Sequence, residues 1–133
     1  MNRSGKFLGA KGNVNLGKMG SIDFNLPLII FEEDGVTICY CPALDLSGYG
    51  DNENEALDSY NYVMKEYFDY TSKKRTLQQD LKRLGWNIKN SLRKKMEPPS
   101  PTKLLERNGN FKRVFDGFNY KKLSTNVQIP ALA

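Results

Sequence analysis

The sequence contains no histidine. Ser–His and Cys–His nucleophile pairs and every histidine-bearing metal site are thereby excluded. Cysteine is scarce: Cys39 and Cys41 alone cannot close a four-cysteine zinc site, and they lack the C-x-x-C spacing. They read as reduced thiols packed under a helix, which points to a cytoplasmic protein. Long apolar runs are missing too. The longest runs from Leu26 to Phe31 with Pro27 inside it, whereas a membrane helix needs about 20 apolar residues. The N-terminus also lacks the apolar core of a secretory signal. Disorder is disfavoured by an aromatic content of 11%. A chain of 133 residues can bury about 68% of its unfolded surface, which suits one domain, or one small domain with an extension.

What is present is charge, and it is segregated. The net charge of +5 conceals three blocks. Residues 1–20 carry four bases, no acid and five glycines, the composition of a flexible basic arm; Met19 is an alternative start. Residues 21–72 carry eleven acids against Lys65 alone. Residues 73–113 carry thirteen bases against three acids. An acidic module followed by a basic extension, 73–133, predicts two binding surfaces of opposite sign. The alternative is that the two blocks attract each other within one molecule.

The acidic module has a legible pattern. Asp23 to Phe31 reads as a strand, Asp34-Gly35 as a hairpin tip, and Val36 to Cys41 as the returning strand. Alternation sets Val36, Ile38 and Tyr40 on one face, with Thr37, Cys39 and Cys41 on the other. Leu44 to Tyr49 reads as a third strand. Asn52 followed by Glu55 forms a capping box that opens a helix over about 53–71. Its stripe of Ala56, Leu57, Tyr60, Val63, Met64, Tyr67 and Phe68 has the 3.6-residue period of a core face. In the basic half, Thr76 caps a helix ended by Gly85, and Ser100-Pro101 opens a short helix stopped at Asn108-Gly109. Leu123, Thr125, Val127 and Ile129 alternate as a terminal strand.

The stretch from Ile30 through Glu32-Glu33-Asp34-Gly35 to Pro42-Ala43-Leu44, followed by Gly50-Asp51-Asn52-Glu53-Asn54-Glu55-Ala56-Leu57, resembles the HicB antitoxin family. The family usually caps the long helix with Thr, and here Asn52 serves the same chemistry. The chain departs from the family's Pro-Asp-Leu-Pro-Gly stretch, with Pro42-Ala43-Leu44-Asp45-Leu46 in its place. The resemblance covers about residues 24–72. It implies an α+β fold: a small antiparallel sheet with one long helix packed on it, like a truncated ribonuclease H without nuclease activity. It also implies a partner, a HicA-type toxin, which is a small basic mRNA-cleaving protein. Neutralisation would occlude the toxin's RNA-binding and active surface through Glu32, Glu33, Asp34 and Asp45. Members commonly continue into a DNA-binding segment, so autorepression of the operon is a further expectation. For that role the candidate phosphate contacts are Lys73, Lys74, Arg75, Lys82, Arg83, Arg93, Lys94 and Lys95. The terminal strand offers an edge for a homodimer or higher oligomer; the rival reading is that the basic extension folds back on the acidic module and the strand completes its sheet.

Two other classes compete with this reading. A stand-alone nucleic-acid-binding module would use the basic half, with Trp86, Phe111 or Phe115 stacking on bases. A ribonuclease H-like nuclease would need several carboxylates converging on two metal ions. Asp45 lies on a strand candidate without a partner acid on a neighbouring strand, so catalytic, metal and cofactor residues are not expected.

Overall fold

The computed structural model describes residues 13–14, 22–88 and 96–130. The basic glycine-rich arm expected over 1–20 therefore lies outside the described residues, apart from Asn13–Val14. The elements run β1 (Asn13–Val14), β2 (Ile22–Glu33), β3 (Val36–Cys41), β4 (Leu46–Gly50), α1 (Glu53–Lys74), α2 (Leu77–Arg83), β5 (Asn87–Ile88), β6 (Met96–Glu97), α3 (Pro101–Arg107), α4 (Gly109–Gly117) and β7 (Lys121–Ile129). The architecture is α+β.

Four long strands form an antiparallel sheet in the order β4-β3-β2-β7, with the short β1 beside the start of β2. The β2–β3 hairpin turns at Asp34 (φ 53°) and Gly35 (φ 79°). Two successive positive φ angles give the turn whose twist matches that of the flanking strands. β2 is long because it serves three partners. It pairs with β3 over Ile29–Glu33, with β1 at Ile22 and Asp23, and with β7 along Ile22–Ile30. Pro27 falls within 24–28, where β7 alone lies beside β2 among the described residues. A residue without an N–H is tolerated where one side of the strand has no ladder to complete.

The terminal strand thus completes the sheet of the acidic module. Ile22 stands opposite Ile129 and Ile30 opposite Lys121 in an unbroken antiparallel register. The expected boundary at residue 72 falls inside α1, and the basic half adds a strand and two covering helices to the same sheet.

The side-chain period of two divides the strands cleanly. Phe24, Leu26, Leu28 and Ile30, with Cys39, Cys41, Leu123, Val127 and Ile129, face a core closed by α1, α2 and the β5–β6 ribbon. Ile29, Phe31, Ile38 and Tyr40 face the opposite way and are covered by Leu104, Phe111 and Val114 of α3 and α4. The alternation expected for β3 is the observed one. The second covered face is the main departure from a sheet with one helix. It arises because Asn108 both ends α3 and caps α4, its Oδ1 accepting from Phe111 N at 3.0 Å. A stop signal for one helix was also the start signal for the next.

Helix α1 opens where its capping box predicts, with the return bond from Glu55 reaching one residue further back than the box itself. Asn52 Oδ1 accepts from Glu55 N at 2.9 Å, and Glu55 Oε1 accepts from Asp51 N at 2.8 Å. Its core face carries Ala56, Tyr60, Phe68 and Thr71 fully buried, with Leu57 and Met64 only partly so. It ends at Arg75, a left-handed C-cap (φ 59°). Thr76 precedes α2 but makes no side-chain cap there; Asp80 in the first turn accepts from Tyr67 Oη and pairs with Arg83. Trp86 anchors the following turn: its indole N–H donates to the Ala43 carbonyl at 2.8 Å, and its ring meets Phe24 edge-on.

Among the described glycines, Gly48 and Gly50 of β4 have the least room, because α1 lies directly on them. A β-carbon on Gly48 would overlap Tyr60 N and lie 2.6 Å from the Ala56 carbonyl oxygen; one on Gly50 would lie 2.7 Å from Ala56 N. The small residues of β3 and β4 exist to let the helix axis come this near. Gly48→Ala should therefore cost about 3 kcal/mol or more, at the upper end of overpacking. Gly109→Ala, which meets open space, should change stability by no more than about 1 kcal/mol. Urea denaturation of the two variants checks this contrast.

Candidate functional site

The sequence nominated four acids as partner contacts, and the structure separates them. Glu32 and Asp34 stand exposed at the β2–β3 tip. Glu33, at the same tip, is engaged: Arg113 of α4 donates to both its carboxylate oxygens, at 3.2 and 3.4 Å, while its guanidinium also lies over the Phe118 ring at 5.2 Å. Asp45 sits beyond the far end of β3, roughly 20 Å away for a six-residue strand. There it occupies a left-handed turn position (φ 55°) and accepts from Tyr40 Oη at 2.6 Å. Tyr40 Oη in turn accepts from Asn108 Nδ2 at 2.9 Å. Burial, reinforced by the hydrogen bond to Asp45, pushes the Tyr40 hydroxyl well above its ordinary range. The chain of Asp45, Tyr40 and Asn108 ties the β3–β4 turn to the α4 cap, while Asp45 itself stays exposed.

What joins Glu32 instead is the start of α1. Because Thr37 pairs with both Glu32 and Gly50, the hairpin tip and the helix N-terminus share one end of the sheet. Glu32, Asp51 and Glu53 line a shallow cavity of about 750 Å³ there, with Phe118 and Lys121 on its other side. Glu53 is partly neutralised by Lys121, whose Nζ donates to it at 2.8 Å. Among the described residues Glu32, Asp34 and Asp51 have no ion-pair partner. Asp51 and Glu53 were legible in the sequence only as helix-capping acids; their position beside the hairpin depends on the β3–β4 register.

The nominated basic residues are also dispersed. Lys73 pairs with Asp69 one turn back, and Lys74 lies over the Tyr70 ring at 5.8 Å. Arg75 caps α1, Lys82 is exposed at the end of α2, and Arg83 pairs with Asp80 at 2.8 Å. These cations suit the negative ends of their helices. Arg93, Lys94 and Lys95 lie outside the described residues. Two bases the sequence reading passed over, Lys103 and Arg107 of α3, join Arg83 around a polar cavity of about 380 Å³ that Asp45 and Asn108 also line. Lys103 Nζ donates to the Gly85 carbonyl at 3.0 Å. Of the aromatics nominated for stacking, Trp86 and Phe111 are buried and Phe115 is exposed.

A third, apolar groove of about 410 Å³ lies between β2 and the α3–α4 pair, bordered by Pro27, Pro42, Pro99, Leu105 and Phe115. Among the described residues no group of three or more His, Cys, Asp or Glu side chains is placed to hold a metal ion. None of the described helices is long and apolar enough to cross a membrane. No family model, curated protein or solved structure matches the chain.

Cys39 and Cys41 are free, buried thiols beneath α1. Burial, with the neighbouring thiol adding to it, pushes Cys39 from 9.0 up to about 12. Burial pushes Cys41 up to about 11, and the Tyr60 hydroxyl beside it pulls the other way. Both stay protonated at neutral pH, so neither is a nucleophile. Their pKa values are higher in the fold than in the unfolded chain, so their contribution to stability is intact below pH 9.0 and declines as pH rises toward about 12. A thiol reagent at about pH 8 should find no reactive cysteine in the native protein and two after denaturation. The urea midpoint should fall above about pH 9, less steeply in a Cys39→Ala/Cys41→Ala variant. Rapid native labelling would show the thiols to be accessible.

Proposed function

We propose that this chain is an antitoxin that neutralises a HicA-type partner, a small basic RNA-cleaving protein, by covering its RNA-binding surface. The observation that carries the reading is the convergence of Glu32, Asp34 and Asp51 at one end of the sheet without ion-pair partners among the described residues. Unpaired carboxylates on rigid elements present a fixed negative field, which a phosphate-binding surface complements. The hairpin turn and the capped helix hold these acids in place, so little ordering entropy is lost on docking. The sheet-and-long-helix core of residues 24–72 is the part that resembles the HicB family, and its truncated ribonuclease H character belongs to this proposal.

Co-expression with a HicA-type small basic toxin should yield a stable complex and restore growth. Reversing Glu32, Asp34 and Asp51 to lysine should weaken that complex about tenfold or more at low salt, chiefly through slower association. Asp45→Asn should instead lower stability and leave the affinity of the folded protein little changed. Equal affinity of the triple lysine variant and the parent protein would refute docking through this end.

A second surface supports the autorepression reading. Lys82, Arg83, Lys103 and Arg107 come from α2 and α3, and three of them border one cavity. Four phosphate contacts would make promoter affinity fall about 10²-fold between about 50 and 200 mM salt. An anisotropy titration with promoter DNA, with and without the partner protein, measures this slope. Absence of binding at about 50 mM salt in both states would confine the chain to protein binding.

A further inference from the structure

Among the described residues the two longer outer strands of the sheet, β4 and β7, differ in kind. β4 is five residues long, is crowded by α1, and has its Tyr49 N–H already donating to Ser59 Oγ at 3.1 Å. β7 is nine residues long, about 30 Å of strand. One edge of it pairs throughout with β2, and no described strand pairs with the other. Natural sheets guard such an edge with proline, lysine or other charges, bulges or a short strand; in β7 the charges stand only at the first two positions, Lys121 and Lys122. β7 contains no proline or glycine, and its register with β2 runs without a bulge over nine pairs. Lys121, at its start, is held by Glu53 at 2.8 Å.

The strand is complementary to itself. Its inner face is apolar, with Leu123, Val127 and Ile129 buried; Ser124, Asn126 and Gln128 on the other face are exposed. We propose that β7 pairs antiparallel with β7 of a second copy about a two-fold axis through Thr125. The product is one continuous sheet in the order β4-β3-β2-β7-β7-β2-β3-β4. Leu123 then faces Val127 of the second copy on the apolar side, Ser124 faces Asn126 on the polar side, and the β-branched Thr125 faces its own mate. Side-chain parity keeps both apolar faces on the same side of the doubled sheet. A slip toward the strand start replaces the Leu123–Val127 pairs by Lys121 opposite Val127 and Leu123 opposite Thr125, and a slip the other way runs into Pro130, which has no N–H to donate. The antiparallel arrangement sends the two acidic ends to opposite ends of the sheet, so each is left open. The inference stands apart from the antitoxin reading and does not need it.

The test uses the full chain. Light scattering and sedimentation equilibrium should give twice the 15.2 kDa of one chain at about 100 µM. One variant carries Ser124→Lys with Asn126→Lys, and a second carries Ser124→Glu with Asn126→Glu. Each places like charges opposite each other across the two-fold, so each should associate at least about tenfold more weakly, while an equimolar mixture should recover the dimer as a heterodimer. Both positions are exposed, and circular dichroism reports whether each variant folds. Hydrogen exchange on the unaltered protein gives a readout that needs no variant: β7 amides should become protected as concentration rises. A monomer at about 100 µM, variants that still dimerise, or β7 exchange independent of concentration would each overturn the proposal.

Discussion

Nine consecutive residue pairs between β2 and β7 bind the beginning of the described chain to its end. Without them β2 would be an edge over most of its length. The faces of Phe24, Leu26 and Leu28 would lose Leu123, Val127 and Ile129, which lie with them in one core. The pairing also fixes the route of the intervening chain. α1 and α2 cover one face of the sheet and α3 and α4 the other before the chain returns to the outside of β2.

Charge does not hold this arrangement together. The acidic and basic halves touch through Glu33–Arg113 and Glu53–Lys121, whose side chains are between 35% and 51% exposed. Pairs this exposed contribute about 0–1 kcal/mol each. Burial of two apolar faces does far more, at about 1.5–3 kcal/mol for each large side chain removed from water. The attraction between the halves, one of the two readings of the charge pattern, is thus real but minor. Its larger consequence is that it consumes some acids and leaves others. Glu33 and Glu53 are engaged, whereas Glu32, Asp34 and Asp51 remain without ion-pair partners among the described residues.

The same logic redistributes roles among residues that look alike in sequence. Asp45 and Asp34 both occupy turns with positive φ. Asp34 lies at a solvent-exposed tip, and its carboxylate is available to a partner. Asp45 has Tyr40 and, through it, Asn108 within hydrogen-bond reach, and so becomes part of the joint between β3, the β3–β4 turn and α4. Cys39 and Cys41 stand in a comparable relation to Gly48: all three are small so that α1 can approach, and the thiols are chemically silent because the approach desolvates them.

Local rules were enough to read much of this from the sequence. Asp34-Gly35 specified the hairpin, Asn52 with Glu55 the start of α1, Ser100-Pro101 the start of α3, and strict alternation the two faces of β3 and β7, because each signal lies within one stretch of contiguous chain. α4 was missed although its cap was visible, since Asn108-Gly109 reads equally as an end and as a beginning. Two outcomes had no local signal at all. One is the partner of β7, which lies about a hundred residues away and was open in the sequence to a second copy as well as to β2. The other is which acids stand together, since that follows from the strand register that places Gly50 opposite Thr37. Periodicity states which side of a strand is apolar; only the competition among all the strands for apolar contact decides which strand lies beside it, and with it which charges share a surface.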